Sequence, residues 1–532
     1  MGKESVRIKT GRKEFDEFYP LIHSFLQRAK MNMEIDGEKI TAYRTPDTNS
    51  VWIRDFSDML RAVKYFEKDL QSAVQHFADT QSKNGRIFDY FTIFPEKLPC
   101  ERENWTKYVR VPVEADVEYR FVKAAFLAWQ ASGDDNWLER IYPNMEKALS
   151  YAISHPWRWD KKNNLIKRPY TIDTWDFAYT AGEHEWLQFQ INDSTFWGLM
   201  HGDNSGYYEA FKIMALFNDY LGRLKEAEKW ENQAKKIKKR MNRICWNGRF
   251  YTHFVKLTPI EIKGADETKQ LSLSNPMDIN RGAAGHEKAV SIIKEYQKRR
   301  QSTDAFAEWF SIDPPFPDGI FGDDKLKAGA YVNGGIMPLV GGELSRAALE
   351  HGFESYGVDI IKRYFNMISS TGETYLWYFP DGSPSTKETS TSPEASSSDA
   401  WGSSAMLYAF IEGLCGIQDQ TKIFQKIRIA PRWSAAGVEN AEVAIEYAAS
   451  EKSVRYAYAQ KKERIELEVE CPRSDVFFHI LLPDNSKVKS VYVDGRQLDF
   501  NQKTIENSCY ADFDMKKIRR IFIKIHLIGE KH

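Results

Sequence analysis

The sequence has little that would direct it to a membrane or to an oxidising compartment. Its 532 residues include only five cysteines, an odd number, and no two of them form a C-x-x-C pair. This pattern argues against a disulfide framework or a zinc site and favours a reducing cytoplasm. No run of about 18 uncharged apolar residues is present to span a membrane. The opening segment, MGKESVRIKTGRKEF, is charged and lacks the apolar core of a secretory signal.

An excess of one charge is also missing, as are several catalytic motifs. The 74 lysines and arginines almost balance the 75 aspartates and glutamates, and the formal net charge is −1. We therefore expect neither nucleic acid nor an anionic membrane as a partner, because both attract basic surfaces. The G-x-S-x-G motif of serine hydrolases, the H-E-x-x-H motif of zinc proteases and the glycine fingerprint of dinucleotide-binding folds are absent. A neutral ligand, with no cofactor and no metal, fits the sequence best.

Two hydrophobic periods divide the chain. Up to about residue 417, apolar residues recur at helical spacing, as at Val117, Phe121, Ala124 and Ala128, which predicts roughly a dozen helices. After about residue 420, apolar and polar residues alternate, as in RIELEVE, which is typical of short strands. We predict a mainly α domain over residues 1–420 and an antiparallel β-sandwich over residues 421–532.

The connections between the predicted helices alternate in length. Tight turns at 132–136, 221–224 and 351–355 predict antiparallel helix hairpins. The other connections are long and rich in Trp, Tyr, Pro, Gly and acids, namely 83–113, 155–191, 244–285, 301–332 and 370–399. Loops this long are usually functional, and the alternation collects them at one end. A closed (α/α)6 toroid of six hairpins would do this; an open solenoid of helix pairs is the alternative, which the lack of a fixed-period repeat disfavours.

The first cluster of candidate catalytic acids is YTIDTWDFAYT, residues 170–180, which brings Asp173 and Asp176 beside Trp175 and Phe177. Desolvation among aromatic rings helps a carboxyl to keep its proton at neutral pH. Cleavage of a glycosidic bond needs such a general acid to protonate the leaving oxygen. We assign this role first to Asp176 and second to Asp173. The structural alternative is an aspartate that caps a loop or a helix.

The second cluster lies in TGETYLWYFPDG, residues 371–382, and in the Ser/Thr-rich stretch that follows. We favour Glu373 as general base, because it neighbours Trp377 at the end of a predicted helix. Asp381 and then Asp399 are the next candidates for the base. Two further acids, Glu388 and Glu394, are interpreted as solvated loop charges.

Tryptophans and tyrosines in polar loops suit the apolar faces of sugar rings, and aromatic residues make up 14% of the chain. Arg54 and Asp55 could grip sugar hydroxyls or form an ordinary structural pair. Asp116 and Glu118 are two residues apart, so on a helix only one of them can face a cavity. The predicted substrate-binding residues are Trp52, Arg54, Asp55, Trp175, Glu308, Trp309, Asp318, Trp377, Asp399 and Trp401.

Four segments resemble the six-hairpin clan of glycoside hydrolases, which includes trehalases, processing α-glucosidases and α-L-rhamnosidases. They are WIRDF, the Trp175-Asp176-Phe177 loop, YVNGGIMPLVGGEL and SDAWGSSAMLYAFIEGLCGI, and the resemblance spans residues 40–530. In trehalases and processing α-glucosidases the aspartate of Trp-Asp-Phe is the general acid, which implies that role for Asp176. The base segment of α-L-rhamnosidases reads Trp-Glu, whereas here Trp377 is followed by Tyr378.

The resemblance implies an inverting, exo-acting hydrolase of α-linked sugars, with its two carboxylates about 6.5–9.5 Å apart. A sugar phosphorylase would need an anion pocket near the base. A sugar epimerase would need converging histidines, drawn from His184, His201, His286 and His351. A carbohydrate-binding protein with a decayed site is the non-enzymatic alternative. The expected partner is an oligosaccharide or a glycoside, and the sequence leaves the oligomeric state open.

Overall fold

A computed structural model describes residues 5–45, 50–94, 97–103, 106–391 and 399–529 of the chain. Before residue 417 the chain is mainly helical, as its hydrophobic period predicts. The helices are α1 (Lys13–Asp16), α2 (Phe18–Ala29), α3 (Ile53–Val63), α4 (Ser72–Asp79), α5 (Val117–Ser132), α6 (Asp135–Ala152), α7 (His201–Tyr220), α8 (Leu224–Ile244), α9 (Ser274–Asn280), α10 (His286–Ser302), α11 (Pro338–Glu350), α12 (Glu354–Thr371) and α13 (Ala400–Tyr408). A π-helical turn, Ala409–Leu414, continues α13. None of the described helices combines the length and hydropathy needed to cross a membrane.

Short strands lie in the connections between the helices. They are β1 (Val6–Lys9), β2 (Lys30–Ile35), β3 (Glu38–Tyr43), β4 (Val51–Trp52), β5 (Tyr90–Phe91), β6 (Tyr108–Val109), β7 (Trp159–Asp160), β8 (Leu165–Ile166), β9 (Arg168–Pro169), β10 (Trp197–Leu199), β11 (Val255–Lys256), β12 (Leu271–Ser272) and β13 (Ile312–Asp313). The segment before α7 holds β10, which pairs with β9 and β11.

Six helices form the inner layer of the helical region. In the order α3, α5, α7, α9, α11 and α13, each packs against the next, and α13 packs back against α3. The remaining long helices pack outside them, as α6 does on α5, α8 on α7 and α12 on α11. A small cavity is lined by one or more side chains from every inner helix, including Asp58, Arg120, Glu209, Asn280, Glu343 and Tyr408. The last inner helix therefore packs against the first, which would not occur in an open solenoid of helix pairs.

Local sequence explains most of these helices. On α12 the apolar residues Ile361, Tyr364, Phe365 and Ile368 recur at helical spacing and are buried. Helix α9, which the sequence analysis missed, has only seven residues and contains Pro276. A segment of two turns is too short to display a helical period, and proline argues against a helix interior.

Each inner helix begins where a long connection ends. Trp52 precedes α3, Asp116 precedes α5 and Asp399 precedes α13. Side chains from different connections touch one another at this end, as Trp175 does with Tyr331 at a ring distance of 5.2 Å. The loops that the sequence marks as acid- and aromatic-rich therefore meet at the N-terminal end of the inner helices.

Beyond residue 417 the chain forms strands, as predicted. They are β14 (Ile417–Asp419), β15 (Lys426–Ile429), β16 (Asn440–Tyr447), β17 (Lys452–Lys461), β18 (Arg464–Leu481), β19 (Ser486–Val493), β20 (Arg496–Leu498), β21 (Asn501–Ile505) and β22 (Ser508–Gly529). They pair in the order β16-β17-β18-β22-β19-β20, and every one of these neighbouring pairs is antiparallel. Strand β15 adds to β18 in parallel, and β1 from the N-terminus adds to the outer edge of β16. The sheet thus takes two strands from outside residues 421–532, β1 and β14, and the domain boundary near 420 stays a prediction.

Candidate active site

Asp176 lies in a recess formed by aromatic rings and a cation. Its Oδ2 is 3.5 Å from Nη1 of Arg102. The Arg102 guanidinium lies 3.9 Å from the centre of the Phe189 ring and 5.9 Å from that of Trp52. Trp52 in turn packs on Tyr90 at 4.3 Å. The Asp176 side chain remains 18% exposed, so a bound molecule could reach it.

A buried cluster of charges adjoins this recess at the start of α5. Arg54 donates from Nε and Nη2 to both oxygens of Asp116, at 2.7 and 2.9 Å, and from Nη2 to Glu114 at 2.7 Å. Burial opposes the charge on Asp116, but Arg54 outweighs it and holds the pKa of that carboxyl below its usual range. Burial raises the pKa of Glu114, and the negative charges of Asp116 and Asp176 add to this, against Arg54. Asp176 and Glu114 are thus close enough to interact electrostatically.

Asp89 completes the cluster. Burial and the adjacent Glu114 raise the pKa of Asp89 well above its ordinary value, and the two carboxyls share a hydrogen bond. The two carboxyls therefore lie side by side in the buried cluster. Glu118 does not join the cluster but accepts a hydrogen bond from the Tyr207 hydroxyl at 3.3 Å, so only Asp116 of the two faces Arg54, as helix geometry requires.

Buried aromatic rings form the floor beneath these charges. Trp175 contacts Tyr331 at 5.2 Å and Trp401 at 6.0 Å, and Tyr331 contacts Trp377 at 6.2 Å. The Trp401 indole donates to Asp58 Oδ2 at 2.9 Å. Trp175, Trp377 and Trp401 are at most 4% exposed. Three of the predicted substrate-binding tryptophans therefore come together, but as a supporting layer rather than as open platforms.

Asp173, the second candidate for the general acid, is fully buried. Its Oδ1 accepts from Ser274 Oγ at 2.5 Å and from Thr174 N at 2.7 Å, and its Oδ2 accepts from Ser274 N at 3.2 Å. Its own backbone N–H donates to His253 Nε2 at 2.8 Å, and its φ of 44° is left-handed. An enclosed carboxylate with this many donors cannot reach a substrate. These hydrogen bonds connect the loop that carries Asp176 to Ser274, at the start of α9.

The hydrogen bonds that hold the Asp173 loop, which we call the anchor, continue through a buried histidine. His201 Nδ1 lies 2.5 Å from Asp278 Oδ2, and its Nε2 lies 3.2 Å from Ser272 Oγ. Burial opposes the charge of Asp173, but His201 and the Ser272 and Ser274 hydroxyls outweigh it and hold the pKa of Asp173 below its usual value. A carboxyl that stays ionised is a poor proton donor.

The candidate bases are engaged in structural contacts. Glu373 follows the left-handed Gly372 that ends α12, and Arg28 donates to both of its oxygens, at 2.6 and 3.4 Å. Asp381 is exposed and accepts from Ser383 N and Oγ, which lower its pKa. Asp399 caps α13 by accepting from Trp401 N and Gly402 N. Glu373 therefore forms an ion pair, Asp381 stabilises a turn, and Asp399 caps a helix.

Two other predicted binding residues lie away from the recess. Glu308 is buried and accepts from Arg363 of α12 at 2.8 and 2.9 Å and from Tyr356 at 2.6 Å. The Arg363 guanidinium also lies 5.1 Å from the ring of Trp309, which is 1% exposed. Glu308 and Trp309 therefore join α12 to the core instead of lining a cleft.

The remaining predicted acids accept hydrogen bonds from nearby segments of the chain. Asp55 accepts from Thr45 Oγ1 at 2.9 Å, and Asp318 accepts from Ala328 N at 2.7 Å. Hydrogen bonding to Thr386 lowers the pKa of the exposed Glu388, as expected for a solvated loop charge. Glu394 lies outside the described residues.

The histidines do not assemble a site at the recess. His286 and His351 approach within 2.9 Å through their Nδ1 atoms, but His286 also faces Glu506 of the C-terminal sheet. His201 is buried in the anchor. Within the described part of the chain, no group of three or more His, Cys, Asp or Glu side chains could hold a metal ion.

The arrangement of helices and C-terminal sheet recurs in solved glycosidases. An α-L-rhamnosidase from Dictyoglumus thermophilum matches 98% of this chain and 50% of its own, at 12% identity and a TM-score of 0.58. An α-L-rhamnosidase from Streptomyces avermitilis, solved with L-rhamnose, matches 98% of this chain and 42% of its own, at 12% identity and a TM-score of 0.61. The GH63 mannosylglycerate hydrolase from Thermus thermophilus matches 74% of this chain and 99% of its own, at 13% identity and a TM-score of 0.51. The fold is that of the six-hairpin glycosidases.

Similarity in sequence is far weaker than similarity in structure. No family model and no curated protein matches this six-hairpin chain. The chain spans about half the length of the two rhamnosidases, 50% and 42%. At 12–13% identity the likeness extends to the fold alone.

Sequence reasoning missed several residues of this six-hairpin site. Arg102, Tyr90 and Phe189 line the recess, and Asp89 and Glu114 form the carboxyl pair behind it. Glu114 stands in VEADVEYRF, next to acids that were considered, and its position before a helix was the available signal. The other residues belong to loops without any regular period, so nothing local distinguished them.

Proposed function

We propose that this protein is a glycoside hydrolase and that its active site is the recess around Asp176. The proposal includes the architecture, in which the six inner helices form an (α/α)6 toroid with the recess at their N-terminal end. One observation carries it: a partly exposed carboxylate pairs with an arginine that packs on aromatic rings, and it interacts electrostatically with a buried carboxyl pair, in a fold shared with glycosidases.

Asp176 acts as the general acid in this proposal. Its carboxyl protonates the departing glycosidic oxygen, while Trp52 offers an apolar face to a sugar ring. The Trp-Asp-Phe tripeptide, the anchored loop and the exposure of Asp176 beside Arg102 support the assignment. An inverting reaction on an α-linked sugar remains the preferred form, because it is the form that the resemblance to the clan implies.

For the second carboxylate, we propose Glu114 in place of Glu373. Glu114 interacts electrostatically with Asp176, and burial raises its pKa. Both acids accept from an arginine, Glu373 from Arg28 and Glu114 from Arg54, but Arg54 also interacts electrostatically with Asp176. In this proposal Glu114 accepts the proton of the attacking water, and Asp89 lies beside it.

A sugar phosphorylase of the same architecture is the second candidate. The observation in its favour is Arg102, a cation at the recess that could hold phosphate as the nucleophile. A panel of α- and β-linked aryl glycosides and unlabelled oligosaccharides, each assayed with and without inorganic phosphate, separates the two. Hydrolysis that is independent of phosphate supports the hydrolase, and sugar phosphate as product supports the phosphorylase. Sugar binding without turnover of any substrate would contradict both and leave a carbohydrate-binding protein.

A further inference from the structure

A small cavity lies among side chains from all six inner helices. Its volume is about 30 Å³, which is room for roughly two water molecules or for one ion slightly larger than water. Asp58, which lines the cavity, accepts a hydrogen bond from the Trp401 indole. Trp401 in turn packs on Trp175, the neighbour of Asp176.

Cations outnumber anions around this cavity. The side chains that line it include four cations, Arg61, Arg120, Lys123 and Arg281, and three carboxylates, Asp58, Glu209 and Glu343. The lining therefore carries one more cation than carboxylates, four against three, and Asp116 stands 3.5 Å from Arg120 just outside it. Buried charge is costly unless it is well paired, so an anion in the cavity would stabilise these cations.

The carboxylates already have partners. Asp58 accepts from Arg120 Nη1 at 2.7 Å, and Glu343 accepts from Arg61 Nη1 and from Asn280 Nδ2. Glu209 accepts from Lys123. A bound cation would have to displace these donors, whereas an anion would not.

Two guanidinium N–H groups are left without an acceptor. Among the described residues, Arg61 Nη2 and Arg120 Nε are buried and have no hydrogen-bond partner. Their nearest carboxylate oxygens stand 3.6 Å away on Asp58 and 3.5 Å away on Asp116, too far for a good hydrogen bond. The Arg61 and Arg120 side chains are 8% and 4% exposed, so bulk water does not satisfy them.

We propose that this small cavity binds a halide-sized monovalent anion, chloride being the abundant example, held by Arg61 and Arg120. Such an ion supplies the missing acceptor and cancels the excess charge at once. Water could accept from the two donors but would leave the charge. The inference does not depend on the proposed function, because anion binding needs no turnover.

The first test is the thermal unfolding of the full chain in a chloride titration, with gluconate keeping the ionic strength constant. We expect a saturable rise in Tm, on the order of 2 °C at chloride far above its Kd, with bromide giving a similar rise. The Arg61→Met variant removes the excess charge and one donor and should lose this dependence. Arg520→Gln is the matched control, since Arg520 pairs with Glu468 on an exposed face of the sheet, and it should keep the full rise.

The second test holds even if Arg61→Met fails to fold. Crystals of the wild-type chain grown in bromide should show an anomalous scattering peak between Arg61 and Arg120. A peak there together with the saturable rise supports the proposal. Ordered water at that position, or a Tm that follows ionic strength alone whichever anion is used, would overturn it.

Discussion

Replacing Asp173 by asparagine separates an anchoring role from a chemical one. The carboxylate accepts from Ser274 Oγ and Thr174 N with Oδ1 and from Ser274 N with Oδ2. Asparagine keeps the shape, but its NH2 group cannot accept, so at least one buried donor loses its partner. Each such loss costs about 1–3 kcal/mol. We therefore expect the free energy of unfolding to fall by about 2 kcal/mol at neutral pH.

The same variant should change how stability depends on pH. The pKa of Asp173 in the folded chain lies below its ordinary value, because His201 and two serine hydroxyls outweigh the effect of burial. A carboxyl of this kind adds stability above its unfolded pKa, and that stability is lost as the pH falls through the folded pKa. The difference between wild type and Asp173→Asn should therefore be largest near neutral pH and shrink below about pH 4. Denaturant unfolding at a series of pH values measures it.

Turnover provides the decisive comparison. If Asp173 only positions the Asp176 loop, Asp173→Asn should lower kcat by about 10- to 100-fold on poor leaving groups, together with the loss of stability, and should affect good leaving groups less, because the misplaced group is the general acid. Asp381→Asn, at an exposed turn, is the matched control and should change stability by less than about 0.5 kcal/mol. A variant as stable as wild type whose kcat on poor leaving groups falls as far as that of Asp176→Asn would show that Asp173 donates the proton, and would refute the anchoring argument.

Three further predictions test the site and its frame. Asp176→Asn should lower kcat on natural glycosides by about 10²–10⁴-fold but spare activated aryl glycosides, which hardly need protonation; equal losses on both would point to a binding role. Glu114→Gln should lower kcat by at least about 100-fold, whereas Glu373→Gln should stay within about threefold, and the reverse order would return the base to Glu373. Glu350 is partly buried, and Arg428, Arg432 and Arg346 outweigh the effect of that burial and hold its pKa well below normal. Glu350→Gln should lower the free energy of unfolding by about 3 kcal/mol at neutral pH. This loss should become smaller as the pH falls through the low pKa of Glu350. Calorimetry that finds no change would show that Arg432 and its neighbours reorganise freely.

Much of the fold was predictable because its signals are local. Apolar residues spaced as on α12 can all be buried on one face only if the segment is a helix. Apolar residues that alternate with polar ones, as in β18, can all be buried on one face only if the segment is a strand. The change of period near residue 420 therefore separated helices from sheet. Strand β1 was not predictable in this way, because four residues show no period and its partner β16 lies in the C-terminal region.

The sequence by itself determined the secondary structure, the loops that meet at one end and the Trp-Asp-Phe segment that carries Asp176. Only the tertiary structure decided which acids are free to act, because partners come from far along the chain. Glu373 is bound by Arg28, 345 positions away, and Glu308 by Arg363, 55 positions away. Asp173 and Asp176 stand three residues apart in one loop, yet one is enclosed by donors and the other is exposed. Burial and electrostatic partnership are properties of the packed chain, and they separate an enclosed carboxylate such as Asp173 from an accessible one such as Asp176.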